Sequence, residues 1–331
     1  MKSKIIAVLV SLGSTALAVA DPIQQTHMEW LNTIALAAHQ TNYSGTFVHQ
    51  YGNRLEASNI SHILDRGGER TKLIKQNGSE CAVISNNSAG WCDPGGKVGQ
   101  AEQAHDRKAF PVLLPEQLST LGENYQIHTG ETARIAGFDT KVLELRPRDS
   151  LRYAHKMWVH IDSGLLLKAA VLSDRQEVVE QYTFIRLKID SSTEPTKALS
   201  SISQTTAQLK LPPVQKIAAV ADESAWKVDG IPVGFKKIAE LQRSMRGKKN
   251  VVTQMVFSDG LVGISIFIET RSSNPDSVLG LSSQGAIHIY SKLNGDYLIT
   301  VVGEVPPSTV LQVANSVRNR GLTFKLTGIS Q

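Results

Sequence analysis

Cysteine is scarce in this chain: Cys81 and Cys92 are the only two in 331 residues, and they do not form a Cys-x-x-Cys pair. A thiol–disulfide oxidoreductase is therefore excluded. Long apolar runs are scarce too, since nothing beyond the first twenty residues approaches membrane-spanning length. Catalytic signatures are absent. There is no Gly-x-Ser-x-Gly, no His-Glu-x-x-His, and no Ser-x-x-Lys in a setting that supports acyl transfer. The run Gly90-Trp91-Cys92-Asp93-Pro94-Gly95-Gly96-Lys97-Val98 approaches a phosphate loop, but its lysine falls one position late and Val98 replaces the required hydroxyl. A Gly-rich turn is the better reading. The histidines offer no chelate: His155 and His160, five apart in a strand-like segment, face opposite ways. The residues point to no enzyme, cofactor or metal.

What is present begins with an address. Lys2 and Lys4 precede an apolar run from Ile5 to Val19, and Ala18-Val19-Ala20 places small residues before Asp21. This is a three-part secretory signal, with cleavage expected after Ala20. No cysteine sits at the cut to carry a lipid, so the expected product is soluble and exported. The leader takes two lysines with it, lowering the formal charge from +5 to +3. That weak excess does not argue for nucleic acid. It suits an anionic partner such as lipid head groups or an acidic protein segment.

Export makes the two cysteines readable as a disulfide. Asn86-Asn87 is a tight-turn pair, and a hairpin folded about it sets Cys81 opposite Cys92. Opposed strand residues lie within disulfide range. The alternative is two unpaired thiols, one of them buried.

Helical spacing of Met28, Leu31, Ile34, Ala35 and Ala38 predicts an opening amphipathic helix. Strands are expected at 43–51 and 55–64 around a Gly52-Asn53 turn, then at 68–76 and in the cysteine hairpin. Pro111–Leu121 reads as helix or loop. Further strands are expected at 124–129, 139–147, 154–162, 164–173 and 176–188. One helix on a long antiparallel meander is an α+β domain, 21–190. The Ser/Thr-rich stretch from Ser191, closed by Pro212-Pro213, reads as a linker, 191–212. The remainder, 213–331, predicts a smaller α+β domain. It has strands at 226–229, 233–242, 250–257, 261–269, 284–291 and 297–304, with turns at Asp259-Gly260 and Asn294-Gly295. Its closing helix carries Val310, Val313, Ala314 and Val317 on one face, and Arg318 and Arg320 in its last turn.

Tyr43, Phe47 and Tyr51 alternate along the first strand, so one face of it is aromatic. In a sheet curling around a helix, that face is either plain core or the wall of a ligand cavity. The same hairpin sets His49 opposite Glu56, a cross-strand polar pair with no nucleophile beside it.

The segment YSGTFVHQYGNRLEASNISHILDRGGERTKLIKQNG, the later Cys92-Asp93-Pro94, FSDGLVGISIFIE (257–269) and VVGEVPPSTVLQVANSV (301–317) together resemble the RseB/MucB family of periplasmic sigma-factor regulators. The resemblance spans nearly the whole chain after the leader, in the same order. It implies a non-enzymatic two-domain binding protein of a Gram-negative periplasm. The larger domain would be an unclosed antiparallel β-barrel with packed helices, similar to the lipoprotein carriers LolA and LolB. The smaller domain and linker would engage the periplasmic part of a transmembrane anti-sigma factor of the RseA/MucA kind and shield it from proteolysis. Lipopolysaccharide or another acyl lipid would release it. Under this resemblance Tyr43, Phe47 and Tyr51 become candidates for an acyl-chain wall. Arg66, Arg70 and Lys72 become candidates for lipid phosphates, against the plainer reading of a solvated basic edge. Phe257, Asp259, Gly260, Leu261, Gly303 and Glu304 match the partner-domain motifs, with Phe257 where a tyrosine is more usual. A different class remains open, a periplasmic lipid or lipoprotein carrier with no regulatory partner. The oligomeric state is open as well, a homo-oligomer included.

Overall fold

The computed structural model describes residues 22–66, 68–76, 81–85, 88–92, 98–100, 110–115, 118, 120–190, 225–244, 251–271 and 279–320. Of these, 22–26, 81–85, 88–92, 98–100 and 243–244 are described in backbone only. The expected signal peptide and linker lie outside the described residues.

Helix α1 (Pro22–Gln40) is followed by β1 (Asn42–Tyr51), β2 (Arg54–Asp65), β3 (Gly68–Lys75), β4 (Cys81–Ser85), β5 (Ser88–Cys92) and β6 (Val98–Gln100). A short helix α2 (Leu121–Asn124) leads into β7 (Tyr125–Ile135), β8 (Phe138–Pro147), β9 (Ala154–His160), β10 (Leu166–Leu172) and β11 (Val178–Asp190). These strands form one eleven-stranded antiparallel sheet in the order β6-β5-β4-β3-β2-β1-β11-β10-β9-β8-β7. The end strands β6 and β7 do not pair, so the sheet is an unclosed barrel. Its first and last long strands meet at the centre, β1 beside β11. Helix α1 packs on β7 and β10, burying Leu31, Ile34 and Ala38. This is the apolar face that the helical spacing marked out.

The second sheet holds β13 (Lys236–Ser244), β14 (Val251–Ser258), β15 (Gly263–Thr270), β16 (Gly280–Gln284), β17 (Ile287–Asn294) and β18 (Tyr297–Gly303), ordered β13-β14-β15-β18-β17-β16. Helix α3 (Pro307–Ser316) lies against β17 and β18 and buries Val310, Val313 and Ala314. The fold is thus α+β, a large open antiparallel sheet with few helices and a smaller sheet domain after it.

Turn chemistry set the registers. Gly52-Asn53 closes β1 on β2 with Tyr51 opposite Arg54 and His49 opposite Glu56. The β4–β5 pair runs from Ser85↔Ser88 to Cys81↔Cys92, as folding about Asn86-Asn87 requires. The cysteine side chains and that turn lie outside what is described. Three expectations need correction. Val317 and Arg318 do not extend α3 but form β19 (Val317–Asn319), which pairs with β12 (Trp226–Val228); pairing to a distant strand ended the helix one residue before its apolar face did. The expected strand at 284–291 is broken by a turn at Gly285-Ala286, so that β16 precedes β17. The strand expected at 124–129 runs on to Ile135, where Ala136-Gly137, both at positive φ, make the turn.

One buried apolar cluster runs through both sheets, from Leu31, Phe47 and Leu143 to Phe257, Ile264 and Val310. The boundary between the domains is therefore packed like core.

Candidate binding site

The three aromatic residues of β1 share the inner face of the large sheet, and each enters a different environment. Tyr43 is fully buried, stacked on His62 with ring centroids 4.9 Å apart. Its hydroxyl has no hydrogen-bond partner, and burial, with the nearby Glu69 charge, pushes its pKa far up. His62 sits between the carbonyl of Thr41, 2.8 Å from Nδ1, and Glu69 Oε1, 3.3 Å from Nε2. Glu69 also takes His39 Nδ1 at 2.7 Å. Burial raises the Glu69 carboxyl, but hydrogen bonds and charge from His39 and His62 outweigh it and hold the pKa at about 2.

Phe47 faces Phe184 across the β1–β11 pair. Phe110, from the segment between the sheet's two halves, closes over both, 5.1 Å from each ring, and stacks on Tyr182 at 5.5 Å. The aromatic wall is thus covered by the protein's own Phe110.

Tyr51 is at the seam between the domains. Its hydroxyl donates to Glu56 Oε1 at 2.6 Å, so Glu56 serves Tyr51 while His49 turns to another carboxylate. That carboxylate is Glu180, at 2.6 Å from His49 Nε2. Glu180 accepts from the Tyr182 hydroxyl at 2.9 Å and from the backbone N–H of Ala286, in the second domain, also at 2.9 Å. Burial raises the Glu180 pKa, and these donors more than reverse it. Gly285 lets the β16–β17 turn approach this closely: at φ +61 it is left-handed, and a Cβ there would lie 2.6 Å from Glu180 Oε2.

The seam centres on Asp259. Its Oδ1 accepts the backbone N–H groups of Leu261 and Val262, both at 2.9 Å, closing the turn that the Asp-Gly pair signalled. Its Oδ2 accepts Arg152 Nε at 2.7 Å and the Tyr125 hydroxyl at 3.1 Å, both from the large sheet's domain. Asn124 Nδ2 donates to the Asp259 carbonyl at 3.3 Å. Arg152 pairs in addition with Asp149, donates to the carbonyl of Val233, and lies 4.7 Å over the Phe235 ring. The two side chains are 1% and 0% exposed, so this is a buried ion pair with its hydrogen-bonding groups widely partnered. Burial works against the Arg152 charge, and the Asp259 hydrogen bond and charge overcome it. Nearby, Gly234 at φ +88 abuts Asn124, where a Cβ would fall 1.9 Å from Oδ1. Thr309 at the start of α3 adds a hydrogen bond to the Leu151 carbonyl at 3.0 Å.

The remaining candidates scatter. Arg66 is exposed in the β2–β3 turn and Lys72 is half-buried, but Arg70 is buried and committed to Asp65. The three do not make one basic edge. Phe257 and Leu261 are core residues, Gly303 ends β18 and Glu304 is exposed. Arg152, Tyr125, Asn124, Glu180 and Phe110 were not legible in advance. The one local hint was an arginine between apolar Leu151 and Tyr153. Among the described residues no cluster of His, Cys, Asp and Glu could hold a metal, and no helix is long and apolar enough to cross a membrane.

The architecture is two-domain, an open antiparallel sheet and a smaller sheet joined by a buried polar seam. The chain belongs to the MucB/RseB family: the family models for the MucB/RseB N-terminal and C-terminal domains match residues 26–210 and 220–318. It is 29% identical over 322 residues to the sigma factor AlgU regulatory protein MucB of Pseudomonas aeruginosa, covering 94% of this chain and 96% of that protein. It is 24% identical over 319 residues to the sigma-E factor regulatory protein RseB of Salmonella typhimurium, covering 95% and 96%. Its structure is similar to MucB solved in complex with MucA(peri), at 25% identity and TM-score 0.67, over 88% of this chain and 98% of that one. A structure of MucB alone matches at 26% identity and TM-score 0.60, over 89% and 98%.

Proposed function

We propose that this protein is an exported, non-enzymatic negative regulator of an envelope-stress sigma factor. It binds the periplasmic part of a transmembrane anti-sigma factor, shields it from proteolysis, and yields it when an acyl lipid such as lipopolysaccharide engages the large sheet. The observation that carries this reading is the likeness, along both domains, to relatives named as sigma-factor regulatory proteins, one of them solved with MucA(peri). The chain divides, in this reading, into a signal peptide (1–20), a half-barrel (21–190), a linker (191–212) and a partner-binding domain (213–331). Cys81 and Cys92 are joined.

The geometry adds a physical route for release. Phe110 covers the Phe47/Phe184 wall, so a lipid chain entering there must displace it. The wall leads through Tyr182 to Glu180, whose other oxygen holds Ala286 of the second domain. A ligand that moves Phe110 thus acts on a group that spans the seam, biasing one domain arrangement over another. The test is a titration of the full chain with the periplasmic segment of a MucA-like protein, then with lipopolysaccharide, with protease protection of the segment as a second readout. Binding, protection and lipid-driven release are expected. Failure to bind the segment overturns the regulatory reading. Binding without lipid release overturns the sensing half.

A further inference from the structure

Opposed residues in neighbouring strands present their side chains on one face of a sheet. The registers place two rows on the outer face of the large sheet, opposite α1 and Phe110. One runs Leu55, Gln50, Gln181, Ala170, Lys156, Glu144; the other runs Ala57, Val48, Thr183, Lys168, Trp158, Val142. At their meeting point one indole receives two cations. Lys168 Nζ lies 4.6 Å and Lys156 Nζ 5.4 Å from the Trp158 ring centroid. Ala154, Ala170 and Leu172 form the floor beneath Trp158.

Two ammonium groups held on one ring repel each other, and no carboxylate among the described residues is within ion-pair distance of either. Glu144 is the near acid, and both its oxygens are taken by Arg146 at 2.9 Å. Packing of Lys168 against the indole costs it solvation, and the charge of Lys156 compounds this, so its pKa falls. The geometry leaves two ammonium groups, that of Lys168 partly desolvated, beside an amphipathic ring, with Glu144 opposite Lys156 as the one nearby acid and its hydrogen bonds given to Arg146. Farther along the same face, Leu55 and Val178 are 61% and 53% exposed.

We propose that this outer face docks on an anionic bilayer surface, with phosphate-bearing head groups between Lys156 and Lys168 and the Trp158 indole at head-group depth. Several features favour a lipid surface over an enclosed anion or an acidic peptide. The face is the open, outward side of a curled sheet and encloses nothing. It sets cations and an indole beside exposed aliphatic side chains, which is the pattern that settles at a membrane interface. Trp158, Lys156 and Lys168 stand on β9 and β10, interior strands paired on both sides, so a peptide could not add to the sheet at that point. The docking is separate from the inner aromatic wall and does not depend on the anti-sigma reading.

The experiment is cosedimentation of the full chain after leader removal with phosphatidylglycerol/phosphatidylcholine vesicles and with phosphatidylcholine alone, over a salt series. Binding to the anionic vesicles only, weakening as salt rises, is expected. Lys156→Gln and Lys168→Gln should each lower partitioning about fivefold and the double variant about 25-fold. The variants should melt as the parent does and still bind a MucA-like segment in solution. Three results would each overturn the proposal: equal binding to phosphatidylcholine, unchanged partitioning of the double variant, or displacement from vesicles by millimolar phosphate or polyglutamate.

Discussion

Arg152, in the loop before β9, and Asp259, in the turn after β14, meet at 2.7 Å with both side chains out of solvent. The two charges come from different domains, and burial makes each depend on a partner. Removing one partner takes from a buried ion its counter-charge across the seam, leaving Arg152 to Asp149 or Asp259 to Tyr125 and two backbone N–H groups. That penalty exceeds the net worth of the pair. The seam is therefore a registration device. It contributes modest stability when complete and opposes any arrangement that separates the two groups.

A double-mutant cycle tests this. Arg152→Met and Asp259→Asn should each lower unfolding stability by about 3–5 kcal/mol, and the double variant by less than their sum. Denaturant unfolding of the four proteins measures the coupling. Additive losses would mean that the pair does not act as a unit.

Glu69 predicts an acid limit. Its folded pKa, about 2, lies below the ordinary 4.5, so it contributes stability that is complete above pH 4.5 and lost as pH falls toward 2. Discounted for solvent screening, the contribution is on the order of 1–2 kcal/mol. Thermal melts of Glu69→Gln against the parent, from pH 6 to pH 2.5, should converge as pH falls. A constant gap would show that the carboxylate's charge is not the source.

Phe110 is 2% exposed between Phe47, Tyr182 and Phe184. Phe110→Ala should cost about 3–5 kcal/mol and leave a cavity on the aromatic wall. Binding of an apolar fluorophore should rise in the folded variant at temperatures below its transition. If stability falls and no dye binds, the wall has collapsed and offers no site for an acyl chain.

The Cys81↔Cys92 register calls for a bond. Mass spectrometry of protein exported to an oxidising compartment should show these two residues crosslinked, and Cys81→Ser/Cys92→Ser should lose about 2–3 kcal/mol of stability. Free thiols in the exported protein would refute the pairing.

Much of the frame was legible before any coordinates. The β1–β2 register follows from Gly52-Asn53, because only residues that accept positive φ close a two-residue hairpin. The β4–β5 register follows from symmetry about Asn86-Asn87. Helix α1 was readable because Leu31, Ile34 and Ala38 repeat at its period. The site was less legible. Tyr43, Phe47 and Tyr51 were rightly grouped on one face, but alternation says nothing of what lies above a face, and each meets a different neighbour. Arg70 was grouped with Arg66 and Lys72 by charge, whereas its burial against Asp65 depends on the neighbouring strands.

The sequence by itself determined the β1–β2 and β4–β5 hairpin registers and the buried faces of α1 and α3, since these rest on local periodicity and on residues a few positions apart. Its motifs pointed to the family and, through that resemblance, to the open antiparallel plan. Tertiary structure alone decided that Asp259 answers Arg152 and Tyr125, that Glu180 reaches Ala286, and that Phe110 covers Phe47. Those partners stand 63 to 134 residues apart, with no period relating them. They meet because burying two apolar faces against each other brings them together, and a buried charge must then find its opposite.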